Sequence, residues 1–405
     1  MTTTTRGERM LALRRRRMAA APAFLRGGFR PFFLGGAAWA VIALTLWLTA
    51  LAGGMTLPSL FEPLAWHRHE MLFGFVGAVI AGFLLTAIPN WTGRLPIAGP
   101  PLAGLFGLWL AARIAILFSS GTGAVAAAGL DAGFYLLLAA LAAREVLAAK
   151  NRNLPIVALV LLFGTASALD HAGAAGLIGD PDIGVRGGIA LVVVMISLIG
   201  GRIVPSFTRN WMQKHGLRGR LPGQPGRFDL GVIGLTAAAL ACWLAAPAAS
   251  WTGMALLAAG ALQAARLARW GGLRTVRDPL VFILHVGYFW IPAGLLLLGA
   301  SLAGAAIPAS AAIHALTAGA MGTMILAVMT RASLGHTGRE LRASPLTVLL
   351  YAMVTLGAAL RVAAPLGLID YTLGMEAAAL AWAGAFILFL IAYGPILIRP
   401  RLGEA

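Results

Sequence analysis

Long apolar segments separated by short polar ones make up almost the whole sequence from residue 32 onward. Each segment has roughly 20 residues, which is the length that an α-helix needs to cross a hydrocarbon core of about 30 Å. No segment alternates apolar and polar residues as a membrane β-strand does. We therefore predict an all-α, polytopic membrane bundle of about twelve helices, over 32–53, 64–89, 100–119, 122–148, 154–177, 185–211, 229–247, 249–270, 279–301, 309–331, 343–367 and 373–397.

Composition supports a membrane protein without a soluble domain. Of the 405 residues 60% are hydrophobic, and the mean hydropathy is +0.86, so the chain has too little polar surface for a water-soluble domain of this size. We predict a basic cytoplasmic arm over 1–25, a single transmembrane domain over 26–400 and a cytoplasmic tail over 401–405. A full-length apolar span follows the arginines of "LRRRRM", which predicts that no signal peptide is cleaved. The single cysteine, Cys242, excludes a disulfide framework and a cysteine-based metal site.

The net charge of +17 is concentrated at one end of the predicted spans. With twelve spans and a cytoplasmic N-terminus, about 26 of the 31 Lys and Arg residues fall in inner segments. This asymmetry is the positive-inside pattern, and it predicts that both termini are cytoplasmic. The charge therefore indicates membrane topology, and we expect no nucleic-acid partner.

A faint repeat appears at intervals of four helices. The second, sixth and tenth spans end at the predicted inner face in "TAIPNWTGR", "GRIVPSFTRNW" and "AVMTRASLGHTGR". One interpretation is a plan of three arcs of four helices. The other is coincidence, because Asn, Thr and Arg are common at helix ends.

Histidines gather at one predicted depth. His67 and His69 in the second span, His171 in the fifth and His314 in the tenth all lie toward the outer side. Imidazole is a common ligand of haem iron and of copper, and helical bundles build metal sites from side chains on several helices. These four histidines are our predicted metal ligands, although each could instead be an interfacial hydrogen-bonding group.

Other polar groups within the spans could support such a site. Glu70 shares a helix face with His67 and could orient its ring. Arg113 and Arg361, toward outer helix ends, could meet the propionates of a haem, or could extend to the membrane surface. Arg202 and Arg209 lie seven apart on one face, and we expect them to pair with an internal group. Further polar candidates are Asn90, Asn210, Arg331, His336 and the inner His285.

The longest motifs resemble a known family. The stretches "WHRHEMLFGFVGAVIAGFLLTAIPNWTGR", "GGRIVPSFTRNW", "RDPLVFILHVGYFW" and "HALTAGAMGTMILAVMTRASLGHTGR" are similar to the signature stretches of the NnrS family, over nearly all the chain from Phe29 onward. The resemblance implies a bacterial inner-membrane protein that contains haem and copper and belongs to the nitric oxide response of denitrifying or NO-exposed bacteria. It implies no established reaction, so whether the protein is an enzyme stays open.

The resemblance maps the family's histidines onto one set of residues, namely His67, His69, His171, His285, His314 and His336. The spacing of His67 and His69 does not say which of them binds which metal, and one of them could instead face the membrane interface. Our own assignment gives haem to His69 and His314, and copper to His67 and His171, because Glu70 lies beside His67. The repeat at intervals of four helices suggests a weaker analogy with the haem–copper oxidases, which also have twelve helices. The sixth and seventh spans carry no histidine, so the oxidase type of copper site is excluded.

Three functions are compatible with these patterns. The first is a haem/copper protein that binds or turns over NO or another small nitrogen oxide, with a membrane electron donor as a further partner beside the lipid bilayer. The second is a secondary transporter of a small solute, since twelve spans are also common there. The third is a redox or assembly partner without turnover of its own.

The topology can be tested directly. Reporter fusions after Glu62, Asp180 and Asp370 should read as periplasmic, and fusions after Lys150 and Arg220 as cytoplasmic, because the Lys and Arg residues are concentrated on the predicted inner side. A reversed signal at any one of these five sites would contradict the predicted number of spans.

Overall fold

The protein is all-helical where it is described. The structure is a computed structural model, and it describes residues 9, 12, 16, 20–217 and 219–403. It is 78% helix, and the described residues contain no strand, as the segment lengths predict. Most of the predicted N-terminal arm, and part of the tail, lie outside the described residues.

Twelve long helices follow one another along the described chain. Eleven of them are long and apolar enough to cross a membrane, and α8 is the exception, since polar side chains occupy its last turns. The fold is thus a polytopic helical bundle. Its helices are α1 Phe29–Leu51, α2 Pro63–Thr92, α3 Pro100–Leu117, α4 Ala124–Ala148, α5 Leu154–Ala174, α6 Ile183–Lys214, α7 Arg227–Ala245, α8 Ser250–Ala268, α9 Pro279–Leu302, α10 Ala309–His336, α11 Pro345–Ala363 and α12 Tyr371–Ile398.

The chain forms two compact units. The first consists of Met1–Val185, Ala332–Arg339 and Tyr393–Ala405, and it contains α1 to α5. The second consists of Arg186–Arg331 and Glu340–Ala392, and it contains α7, α8, α9, α11 and most of α6, α10 and α12.

Two helices contain a π-helical segment. In α2 the segment is Glu70–Val76, directly after His69, and in α10 it is Ala315–Met321, directly after His314. π-Segments are rare and occur often at functional sites, because the wider turn changes the direction of the side chains that follow. Spacing alone does not predict them, since both stretches read as ordinary apolar helix.

The second unit is held together by a buried polar network on α8. Arg266 donates from Nε to Asp229 at 2.8 Å and from Nη1 to the Tyr288 hydroxyl at 2.8 Å. We predicted that Arg202 and Arg209 pair with an internal group. Arg209 donates to the backbone oxygen of Pro222 at 2.9 Å, but Arg202 is exposed, so the prediction is wrong for Arg202.

Close backbone contact joins the start of α6 to α5. A Cβ added at Gly184 would lie 2.6 Å from the Ala166 oxygen and against the backbone of Asp170. We expect Gly184→Ala to lower the free energy of unfolding by about 1–3 kcal/mol, because backbone atoms cannot move aside cheaply. Thermal unfolding in detergent measures this change. Gly133→Ala in α4, where nothing lies within 4 Å, is the control and should not destabilise the protein. Equal stability of both variants would contradict the tight contact.

Candidate metal centre

His69 lies in a closed pocket inside the first unit. It is the last residue of the regular first part of α2, and its side chain is fully buried. The ring centroids of Phe61 and Phe73 lie 5.0 Å and 5.1 Å from that of the imidazole, and the centroid of the His171 ring lies at 4.6 Å. The ring is thus fixed on several sides and has no open face.

Two aspartates surround the two imidazoles. Nδ1 of His69 lies 2.8 Å from Oδ2 of Asp170, which holds the ring in one orientation. Nε2 of His69 lies 3.3 Å from Oδ2 of Asp131, and Nε2 of His171 lies 3.5 Å from the same oxygen. Both Nε2 atoms are buried, and neither makes a hydrogen bond within the described residues.

This arrangement suits a metal ion. When Nδ1 of His69 donates to Asp170, a neutral imidazole presents a lone pair at Nε2, and that lone pair then faces a carboxylate oxygen. A cation between the nitrogen and the oxygen removes this repulsion. One donor atom from each of His69, Asp131 and His171 lies within 4.8 Å of the others, which is close enough to share one ion. Two imidazoles and a carboxylate are ligands for copper, zinc or iron.

A buried ion network adjoins the two histidines. Arg113, fully buried, donates from Nη1 to both oxygens of Glu70 at 3.0 Å and from Nη2 to Asp131. Trp39 donates from Nε1 to Glu70 at 2.5 Å. A Cβ added at Gly74 would collide with all three groups, so a residue without a side chain is required there. The glycine therefore gives the charged groups room to meet.

With both imidazoles neutral and all three carboxylates ionised, the cluster carries an excess of negative charge. As described, it has three carboxylates, Glu70, Asp131 and Asp170, and one guanidinium, that of Arg113. Unpaired carboxylates are strongly disfavoured in an apolar interior, so further positive charge is needed when all three are ionised. A divalent cation at the two imidazoles would balance the excess.

The two neighbouring histidines of "WHRHE" have different surroundings. The His67 ring stacks on Trp47, with centroids 4.0 Å apart, whereas His69 lies with His171. The prediction that His67 is the partner of His171 at the copper site is therefore wrong, because the histidine that contacts His171 is His69. The spacing of two residues places the rings on different faces, but it does not say which face meets α5.

Arg113 and Glu70 also have partners that differ from the predicted ones. We predicted that Arg113 or Arg361 meets a haem propionate and that Glu70 lies beside the His67 ring. In the structure Arg113 is already engaged by two carboxylates, and Glu70 accepts from Trp39 and Arg113. Both residues thus belong to the ion network next to the candidate metal centre.

The remaining predicted residues lie elsewhere. His314 is in the second unit, where its Nδ1 lies 2.8 Å from the Ser310 oxygen and Arg361 lies within electrostatic range. His285, also in the second unit, has Nε2 at 2.8 Å from the Thr208 hydroxyl. At the helix ends, the Arg331 guanidinium lies 4.0 Å from the Phe207 ring centroid, the His336 ring lies 5.5 Å from that of Phe29, and Asn90 and Asn210 are exposed.

Sequence reasoning missed the two aspartates of the site. Asp170 precedes His171 directly, and a carboxylate beside a histidine in an apolar span was a signal for it. Asp131 is isolated in α4, so only its burial in an apolar helix marked it. Trp39 carried no signal, because an indole is usual in a membrane helix.

The fold and this cluster define a polytopic helical membrane protein with a buried candidate metal centre of two histidines and an aspartate. The family model described as "NnrS protein" matches residues 23–401, nearly the whole chain. The chain therefore belongs to the NnrS family, as its motifs indicate. A search of curated proteins finds no match.

We expect the loss of a buried ion pair to lower the free energy of unfolding more than the loss of an exposed one. We expect Arg113→Met to lower the free energy of unfolding by about 3–5 kcal/mol, because it leaves Glu70 and Asp131 buried without their cation. Adding Glu70→Gln should recover part of that loss in a double-mutant cycle. The control is Arg68→Met, which breaks an exposed pair with Asp182 and should change stability by less than about 1 kcal/mol. Equal effects of the two arginine variants would contradict the network.

Proposed function

We propose that this protein is a haem- and copper-containing membrane protein of the nitric oxide response, and that it binds or turns over NO or an NO-derived species. Membership of the NnrS family supports the link to the NO response. The proposed location is the bacterial inner membrane with both termini cytoplasmic, which the distribution of Lys and Arg supports.

One observation carries the proposal. The Nε2 atoms of His69 and His171 lie 3.3 Å and 3.5 Å from the same oxygen of Asp131, and neither makes a hydrogen bond within the described residues. A buried structural histidine usually has hydrogen-bond partners at both ring nitrogens, whereas Nε2 of each of these two makes no hydrogen bond within the described residues. The geometry suits a resident metal ion better than a purely structural cluster.

Copper fits this donor set. His69, His171 and Asp131 would hold the ion, and Asp170 would orient the His69 ring from behind. A copper ion would supply a one-electron redox centre that can bind a nitrogen oxide. The chain's own contribution is to keep the ligands fixed, to balance charge through Arg113, and to exclude water with Phe61 and Phe73.

Haem fits His314 better than His69. The His69 ring is enclosed and fully buried, so a macrocycle has no face to approach. His314 is only partly buried, and when Nδ1 donates to the Ser310 oxygen, Nε2 is left as the ligand atom.

Metal analysis tests the centre. The purified protein should contain copper, and His69→Ala, His171→Ala and Asp131→Asn should each reduce the copper content at least tenfold. Asp170→Asn should weaken copper binding by roughly 10–100-fold, because the His69 ring loses its orienting partner.

The matched controls are histidines outside the cluster. His67→Ala and His285→Ala should retain copper, since their rings contact Trp47 and Thr208 instead. Full copper content in His69→Ala, or zinc as the resident metal in the wild type, would overturn the assignment.

Function itself is tested by anaerobic NO consumption with purified, haem-loaded protein and an electron donor. Consumption that is lost in Asp131→Asn supports turnover at this centre. Binding of NO without consumption would support a protein that binds NO and has no turnover of its own. Absence of both would contradict the proposed function.

A further inference from the structure

Two stretches of the sequence correspond at a constant separation of 245 residues. Residues 69–94 and 314–339 have the same amino acid at eight of 26 positions. The shared residues include both histidines that precede a π-segment. The pairs are His69/His314, Gly74/Gly319, Gly77/Gly322, Ile80/Ile325, Ala87/Ala332, Thr92/Thr337, Gly93/Gly338 and Arg94/Arg339.

The backbone follows the same correspondence. The π-segments Glu70–Val76 and Ala315–Met321 are also 245 residues apart. Gly93 and Gly338 both have a positive φ, of 66° and 74°. The next helices, α3 and α11, begin at prolines with that same separation, Pro100 and Pro345.

Helix contacts repeat as well. In the first unit the Tyr135 hydroxyl of α4 donates to the Phe73 oxygen at 2.5 Å. In the second unit Trp382 of α12 donates from Nε1 to the Ala318 oxygen at 3.4 Å, and Ala318 corresponds to Phe73. An aromatic side chain with a polar tip thus reaches the equivalent carbonyl within each π-segment.

The preceding helices also contribute matching aromatic residues. Trp39 of α1 lies against Gly74, with its Nε1 2.9 Å from the position of an added Cβ. Trp290 of α9 lies against Gly319, the equivalent glycine, with a ring carbon 2.6 Å from that position. Helices α1–α4 and α9–α12 are therefore two copies of one four-helix module.

The second copy lacks the charged groups of the first. The separation of 245 residues matches α2 with α10 and α3 with α11, and the contacts of Tyr135 and Trp382 match α4 with α12. This alignment pairs each charged residue of the ion network with an alanine. The pairs are Glu70/Ala315, Arg113/Ala358 and Asp131/Ala378. The second copy keeps the imidazole and the indole, but not the ions around them.

Two buried donor atoms of the second copy make no hydrogen bond within the described residues. Trp39 donates to Glu70 at 2.5 Å, whereas Trp290 is 9% exposed and its Nε1 makes no hydrogen bond within the described residues. Nη1 of Arg361, buried near His314, also makes none. Unsatisfied buried donors are rare, because each loses its bonds to water without replacement.

We propose that the α9–α12 module binds a ligand at His314 whose anionic acceptor group pairs with Trp290 and Arg361, and so replaces the carboxylate that Glu70 supplies in the first module. The inference rests in part on the proposed haem seat at His314 and extends it to a required negative charge. Two sources have this chemistry, namely the carboxylate edge of an iron porphyrin and a small oxyanion such as nitrite. The second module has alanines where the first has the charged residues of the ion network. The negative charge that Glu70 supplies in the first module must therefore come from the ligand in the second.

The test uses the purified full chain in detergent and three probes. Hemin carries two carboxylates, hemin dimethyl ester carries none, and sodium nitrite is a small anion. Binding of the porphyrins is followed by the shift of the Soret band, and binding of nitrite by calorimetry. The variants are Trp290→Phe, which keeps the ring and removes the N–H donor, and Arg361→Gln. Trp39→Phe makes the same change in the first module and is the matched control.

We expect hemin to bind the wild type at least tenfold more tightly than its dimethyl ester. Each of Trp290→Phe and Arg361→Gln should weaken hemin binding roughly tenfold or more, as expected for a hydrogen bond to a charged group, and Trp39→Phe should not. Binding of nitrite without hemin, with the same variant pattern, would support the anion site while contradicting the haem assignment.

Three results would overturn the proposal. They are equal binding of hemin and its ester, wild-type affinity in both second-module variants, and no binding of hemin or nitrite to the wild type. Copper content, measured on the same samples, reports separately on the first module. Failure of the copper centre and failure of the anion site are therefore distinguishable.

Discussion

The structure of the first unit depends on the burial of three carboxylates in an apolar bundle. Glu70, Asp131 and Asp170 are tolerated there only if positive charge and hydrogen-bond donors meet them. Arg113 supplies one charge and bridges Glu70 to Asp131. The second oxygen of Asp131 faces two imidazoles whose Nε2 atoms make no hydrogen bond in the part of the chain that the structure describes. Fold stability and the candidate metal centre therefore share the same aspartate.

The sequence predicts the helices well, because span length and hydropathy follow directly from the thickness of the membrane. It also identifies His69 and His171 as candidate ligands, since an ionisable side chain in an apolar span is costly unless it has a function. The depth of a residue can be counted from the helix end. These two properties, length and depth, need no knowledge of which helices are neighbours.

The contacts between side chains of different helices could not be predicted in the same way. Whether His67 or His69 meets His171 depends on the rotation of α2 about its axis, which packing sets and spacing does not. The buried cation of the second unit is Arg266 and not Arg202, although both lie toward inner helix ends, because only Arg266 reaches Asp229. The repeat of α2 and α10 was only faint in the sequence for a related reason. Just eight of 26 positions are identical, and three of these are glycines, which shape the backbone but add little to a hydropathy pattern.

The two modules share the backbone around the histidine but not the charged side chains near it. Both have a histidine directly before a π-segment and glycines five and eight residues after that histidine. The charges of Glu70, Arg113 and Asp131 are present in one and replaced by three alanines in the other. Removing a single member of such a buried network costs about 3–5 kcal/mol, because it leaves an uncompensated charge, whereas an apolar replacement of the whole set can be neutral. The physics of burial therefore favours loss of all three together, and the imidazole left behind can serve a different ligand on an unchanged backbone.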